Sequence, residues 1–397
     1  MRTRGLTRGA LIASSVYLAS SVALASWLLP AGRERSPVAF PAPKENAKWG
    51  AASGAPLELR DLALRQARVW TPASLSTVDL AANPADATGT LSQPMVRCRY
   101  LDGPTHGTTA KFDCVLPDGE VVKVKYGHTG EIHAELAASR LLAAVGFGAD
   151  RMYLVPRVRC YGCVRTPYYT MKVLDLVHAR ETLARSVPED SYTDFEWVAV
   201  ERRFDGAEIE SGDRDGWAWH ELEPVDPARG ANRAERDALR LFAMLLAHWD
   251  NKAPNQRLMC LSPSTPDGAP CDRPFAYIHD LGATFGPNKV TLDRWAKAPI
   301  WADRGRCTVS MREFPYDGGT FPDTQISEAG RRLIARQLAG FTEPQLVALF
   351  TATRFPEFHG GRGTAADPAR WAAVFLDKVR QITDAGPCPS GVQDRIH

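Results

Sequence analysis

Two short stretches of this chain carry residue types at spacings that suit phosphoryl transfer. The first, His248-Trp249-Asp250-Asn251-Lys252-Ala253-Pro254-Asn255, has the pattern H-x-D-x-x-x-x-N and follows directly on an amphipathic run. Moving a phosphoryl group needs a carboxylate that orients or deprotonates the acceptor. It also needs a side-chain oxygen a few residues on to hold metal, and a loop leaving a rigid helix can set both. Asp250 is the candidate base and Asn255 the candidate ligand. The second stretch, Ile278-His279-Asp280-Leu281-Gly282, ends an apolar strand. There Asp280 would bind the metal that bridges the phosphates, and Gly282 would let the chain turn sharply away. Each residue also has a plainer reading: Asp250 can terminate its helix region, Asp280 can be a turn aspartate, and His248 reads as structural rather than catalytic.

Loops of this kind need a scaffold on both sides. From Met95 onward three short alternating runs, Val96 to Leu101, Lys111 to Leu116 and Glu120 to Tyr126, are separated by turn residues and predict a small antiparallel sheet. A helix from about Glu131 to Val145 follows, its apolar stripe made of Ile132, Leu136, Leu141, Leu142 and Val145, and Gly146-Phe147 stops it. Strands are expected near Tyr153 to Val158, Tyr168 to Val173 and Glu196 to Glu201. Past a polar stretch (205–232) the pattern turns helical, over Arg233 to Ala247, Ser327 to Leu338, Thr342 to Phe350 and Pro368 to Ile382, with Ser327 and Asp367-Pro368 as helix starts. The expected fold class is therefore α+β in two lobes, a sheet with one helix and then a mostly helical part, with a ligand cleft between them.

The order of these pieces resembles the protein-kinase-like superfamily, whose catalytic loop is H-R-D-x-x-x-x-N and whose metal aspartate opens D-F-G. Val122-Lys123-Val124-Lys125 is similar to the family's V-A-I-K strand, and the helix after it to αC. The resemblance, spanning roughly residues 95–350, implies a nucleotide-binding enzyme using ATP and Mg²⁺ or Mn²⁺. Lys125 would lie on the α- and β-phosphates with Glu135 as its ion-pair partner, Asp250 would be the catalytic base, and Asn255 and Asp280 the metal ligands. Lys123 and Glu131 are the competing choices for the lysine and the glutamate. The chain departs from the family in lacking G-x-G-x-x-G before the lysine strand, leaving Gly103 and the Gly107-Thr108-Thr109 turn to cover phosphates through backbone N–H groups. It also lacks an A-P-E segment, and Leu281 replaces the usual Phe. These gaps point to the atypical branches: secretory-pathway and spore-coat kinases, HipA-type kinases and phosphatidylinositol-kinase-like enzymes. The acceptor, protein or small molecule, is not specified. Adenylyl transfer on the same fold and a non-catalytic kinase-like binding module are the alternatives.

The ends of the chain bear on where this chemistry would happen. Arg2, Arg4 and Arg8 precede a run from Ala10 to Leu29 without a charge, which reads as an export signal, cleaved after Ala23-Leu24-Ala25 or kept as a membrane anchor. Eight cysteines, an even number, fit an oxidising compartment and a periplasmic or secreted location. Order and local structure suggest Cys98 with Cys114, Cys260 with Cys271 and Cys307 with Cys388. Cys160-Tyr161-Gly162-Cys163 is the one candidate half-site for zinc, but no second ligand pair stands at metal spacing. A net charge of +2 gives no footing for nucleic acid as a partner. The scattered Trp217, Trp219, Trp295, Trp301 and Trp371 read as packing rather than sugar stacking. The expected organisation is a signal peptide or anchor (1–29), an extended linker (30–56), an N-terminal extension (57–94), an N-lobe (95–204) and a C-lobe (205–397).

Overall fold

The computed structural model describes residues 29–44, 56–75, 78–103, 107–180, 186–212, 214–262, 269–315, 318–358 and 363–389. The uncharged segment before Leu29 that was read as an export signal or anchor, much of the linker and the tip of the 260–271 hairpin lie outside the described residues. Among the described residues no helix is long and apolar enough to cross a membrane. The fold is α+β: in chain order, a multistranded sheet whose strands are interrupted by one long helix is followed by a mostly helical second half. The chain divides into two compact units, one from residues within 1–44, 88–127 and 155–200, the other from residues within 45–87, 128–154 and 201–397.

The first unit is built on β1 (Met95–Leu101), β2 (Lys111–Val115), β3 (Val121–Lys125), β4 (Arg151–Tyr161) and β5 (Ser191–Arg202). The first three form antiparallel ladders, as their alternation requires. The sheet then closes on itself, because β5 pairs with both β3 and β4 while β4 runs parallel to β1. Alternate residues Val96, Cys98, Phe112, Cys114, Val122 and Val124 are buried. Closing the sheet leaves few open edges, the usual weakness of a small β-structure. Residues Gly32–Arg33 add a short antiparallel strand at Ser191 and Tyr192.

One expectation is corrected here. Tyr168 to Val173 is not a strand; it lies in α3 (Pro167–Leu176), which follows α1 (Leu57–Arg65) and α2 (Gly130–Ala144) in chain order. Tyr-Tyr-Thr suggested β-structure by propensity, but Pro167 occupies the first helical turn, where its missing N–H costs nothing, and fixes the helix start.

In the second unit α2 is buried along almost its whole circumference. Thr129 caps it, accepting the N–H of Glu131 at 3.3 Å. Gly146 ends it with φ +90, and a Cβ there would stand 2.1 Å from the Thr71 carbonyl, so only glycine fits. Residues 57–87 pack within this unit: Trp70 Nε1 donates to the Val145 carbonyl at 2.8 Å, and Arg68 bridges Phe275. The helical core consists of α4 (Arg233–Leu246), α5 (Leu292–Lys297), α6 (Glu328–Leu338), α7 (Glu343–Ala352), α8 (Phe355–Phe358) and α9 (Pro368–Thr383). Trp217, Trp219, Trp295 and Trp371 are fully buried, in keeping with a packing role, and Trp301 is half-buried.

All eight cysteines are paired: Cys98 with Cys114, Cys160 with Cys163, Cys260 with Cys271 and Cys307 with Cys388. A metal site needs thiolates, so the Cys160–Cys163 bond removes zinc from consideration there. Four such pairs are what an oxidising, extracytoplasmic location produces.

Candidate functional site

α4 aims the first loop. Asn232 and Glu235 form a reciprocal capping box at its start. At its end Ala247 turns left-handed (φ 51), while His248 N–H bonds back to the Ala243 carbonyl at 3.0 Å. The loop so released is anchored by a residue the sequence reading missed. Asn251 is fully buried, its Oδ1 accepts the N–H groups of Thr320 and Phe321, both at 2.9 Å, and its Nδ2 donates to the Trp249 carbonyl at 3.1 Å. With Asn251 fixed inward, its neighbours Asp250 and Lys252 are left part-exposed, and Lys252 Nζ lies 3.0 Å from Asp250 Oδ2. Lys252 was also overlooked in the sequence; the available signal was a cation two residues from a candidate base.

The second loop is joined to the first through the backbone. β6 (Gln256–Cys260) and β7 (Pro274–Ile278) form an antiparallel hairpin with Gln256 opposite Ile278, so the residues flanking it are brought side by side. Asn255 carbonyl accepts both the His279 N–H at 2.9 Å and the Asp280 N–H at 3.0 Å. Asn255 Nδ2 donates to the Asp250 carbonyl at 2.6 Å. Asp250, Asn255 and Asp280 are thus held by one connected set of hydrogen bonds. Past Asp280 the chain runs along the end of α4, with Trp249 N–H on the Ala283 carbonyl (3.3 Å) and Phe285 N–H on the Leu246 carbonyl (2.7 Å).

His248 sits beneath both acids. Burial lowers its pKa to about 4, against the opposing pull of the nearby Asp280 and Asp250 carboxylates, so near neutral pH it is an uncharged imidazole. Asp280 Oδ1 accepts the Gly282 N–H at 3.1 Å. Gly282 itself does not have a left-handed φ; the constraint is space, since a Cβ there would stand 3.3 Å from Glu131 Cβ and 3.4 Å from Asp280 Oδ1. The chain does bend at Gly282 as expected, and the close approach to α2 adds a second reason for glycine there. On that helix Glu131 is half-buried and Glu135, one turn on, is buried.

Behind Asp280 lies a second buried network. Asp150 accepts the Tyr277 hydroxyl at 2.9 Å and the Phe204 N–H at 2.8 Å, and it also bonds His279 Nδ1. Burial, and after it the facing Asp150 carboxylate, push the Tyr277 phenol well above its usual pKa. This network anchors the strand end that presents Asp280.

The remaining predicted residues belong to the first unit. Lys125 is buried at the end of β3, whereas Lys123 is half-buried opposite Asp113 in the ladder. Gly107 stands at the β1–β2 turn with φ +79, and its carbonyl accepts the Tyr168 hydroxyl at 2.5 Å and Lys172 Nζ at 3.0 Å. Thr108 and Thr109 follow in the same turn. A cavity of about 770 Å³ in the second unit, lined by Arg68, Arg229, Arg273 and Phe275 among others, contains none of the predicted site residues.

No family model matches the chain, and no curated protein matches it. Among solved structures, a proinflammatory kinase of Helicobacter pylori, CtkA, is similar at 13% identity with a TM-score of 0.38, the likeness covering 72% of this chain and 94% of that one.

Proposed function

We propose that this chain is an exported, metal-dependent atypical kinase that moves the γ-phosphate of ATP to an acceptor hydroxyl. The observation that carries the reading is the hydrogen-bonded union of the loops bearing Asp250, Asn255 and Asp280. The donor set fits a hard divalent cation: the Asp280 carboxylate and the Asn255 Oδ1, left available because its Nδ2 is committed to Asp250, are oxygen ligands of the kind Mg²⁺ and Mn²⁺ prefer. Bound there, the ion would neutralise phosphate charge. Asp250 orients the acceptor hydroxyl and takes its proton as the new O–P bond forms and the bond from the γ-phosphorus to the β-bridging oxygen breaks, releasing ADP. Lys252 holds the Asp250 carboxylate and adds positive charge beside the moving phosphoryl group. Lys125 is assigned to the α- and β-phosphates, the Gly107-Thr108-Thr109 turn to backbone donation and Glu135 to counter-charge. Among the atypical branches the secretory-pathway group fits best, because four disulfides suit that compartment.

The test incubates wild type and Asp280→Ala with Mn²⁺ and ATP labelled on either the γ- or the α-phosphate. Transfer of γ-label by wild type and its loss in Asp280→Ala are expected, with both proteins melting alike. Transfer of α-label instead identifies an adenylyltransferase. A wild-type melting temperature unmoved by nucleotide and metal together would leave only a binding module or scaffold, since a ligand specific to the native state must stabilise it.

A further inference from the structure

Four of the seven large exposed hydrophobic residues recorded among the described residues belong to α3 and the residue after it: Tyr169 (56% exposed), Val173 (59%), Leu176 (82%) and Val177 (59%). Their spacing of i, i+4, i+7 and i+8 places them on one face. The opposite face is committed to the first unit, with Tyr168, Thr170 and Met171 buried and Tyr168 N–H donating to the Tyr126 hydroxyl at 3.1 Å. An apolar stripe on a soluble surface, opposed to a firmly packed inner face, marks a docking surface.

The position of the stripe identifies its occupant. Because β1 and β4 run parallel, the ends of both, the start of β5 and the inserted α3 share one end of the closed sheet. The chain enters the unit at that same end: Ala31 N–H bonds the Tyr192 carbonyl at 2.9 Å, and Glu34 N–H bonds the Asp190 carbonyl at 2.8 Å. Leu29, another of the seven at 60% exposed, closes the uncharged run that begins at Ala10. Only Pro30 separates that run from Ala31, the first paired residue, and a residue spans at most roughly 3.6 Å. A bilayer holding the run would therefore lie within about 10 Å of this end of the unit.

We propose that the outer face of α3, Tyr169, Val173, Leu176 and Val177, lies in the headgroup region of the bilayer that retains residues 10–28. Apolar side chains on one face of a helix lying flat in the interface are the usual means of such contact. The proposal does not depend on the kinase reading.

The test uses the full-length chain in phosphatidylcholine vesicles, with the photoreactive amino acid benzoylphenylalanine placed at Val173, at Leu176 or, as an exposed control farther along β5, at Glu196. The expected result is lipid adduct at 173 and 176 severalfold above that at 196. Lipid adduct no greater than at the control, adduct to a second copy of the chain, or recovery of the protein shortened at its N-terminus and off the vesicles would each overturn the proposal. Thermal melts of the three labelled proteins check that folding is kept, which these exposed positions should allow.

Discussion

The side-chain amide of Asn255 donates to the main-chain carbonyl of Asp250 at 2.6 Å, so the candidate metal ligand also fixes the backbone of the candidate base. Two functions in one side chain can be separated by substitution. Asn255→Ala removes both the donor and the oxygen, and should lower unfolding free energy by about 1–3 kcal/mol, the usual cost of stranding a buried partner. It should also abolish the melting-temperature gain from Mn²⁺ with ATP. Asn255→Asp keeps an oxygen but loses the donor, so it should keep the metal-linked gain on a less stable protein. Urea unfolding and thermal melts, each with and without metal nucleotide, distinguish the two.

Gly282→Ala probes the spacing between α2 and the Asp280 loop. The added Cβ would meet Glu131 Cβ at 3.3 Å and Asp280 Oδ1 at 3.4 Å, close enough that one neighbour must give by a few tenths of an ångström. Helix α2 is packed on nearly every side, so Asp280 is the group expected to yield. The predicted result is a stability loss of only about 1 kcal/mol, at the mild end of overpacking, with a clear rise in the metal concentration needed for half-maximal label transfer. A metal dependence identical to wild type would show that the loop absorbs the strain elsewhere.

His248 predicts an acid-side loss of stability. Its folded pKa, lowered to about 4 by burial, lies below the unfolded value of 6.5, so the unfolded chain takes up a proton that the folded form refuses. The full stability is present above pH 6.5 and is lost as pH falls towards 4, by about 3 kcal/mol from this group. Urea unfolding of wild type and His248→Gln at pH 7 and pH 5 checks it. The variant is expected to be less stable at pH 7 yet to show a shallower decline on acidification.

How much of this was readable beforehand depends on the kind of signal each residue gives. Strands β1 to β3 alternate cleanly and lie close to their predicted bounds, because one face of each is buried. The long helices carry caps and stripes, and are found within a few residues of expectation. α3 was misread because a ten-residue helix with two tyrosines has both β-propensity and too little length for its period to decide; its outer stripe, in addition, is apolar where a surface helix is usually polar. Asp250, Asn255 and Asp280 were singled out by type and spacing, and the hydrogen bonds that join their loops could not be read from the sequence. Asn251 was invisible for the opposite reason. Nothing in its neighbours in sequence reveals that Thr320 and Phe321, some seventy residues away, donate to its amide oxygen. The bend at Gly282 was legible in the sequence, but its close approach to α2 was not, because contact between a helix and a distant loop is a tertiary fact that sequence does not carry.

Lys252 offers the sharpest separation of catalysis from stability. Its Nζ lies 3.0 Å from Asp250 Oδ2, but its side chain is 43% exposed and its partner's 25%. An ion pair that solvent reaches this readily contributes about 0–1 kcal/mol, so Lys252→Ala should leave the melting temperature almost unchanged. In the proposed transfer the balance would differ, because negative charge would move between the β- and γ-phosphate oxygens and the acceptor, beside the same ammonium. Loss of one preorganised charged donor at such a point typically costs on the order of 100-fold in turnover. Lys252→Arg should recover part of that loss, since it keeps the charge but not the compact ammonium. Single-turnover label transfer by the three proteins at saturating ATP measures it. Equal rates for wild type and Lys252→Ala would confine the lysine to a surface ion pair and leave Asp250 to act without it.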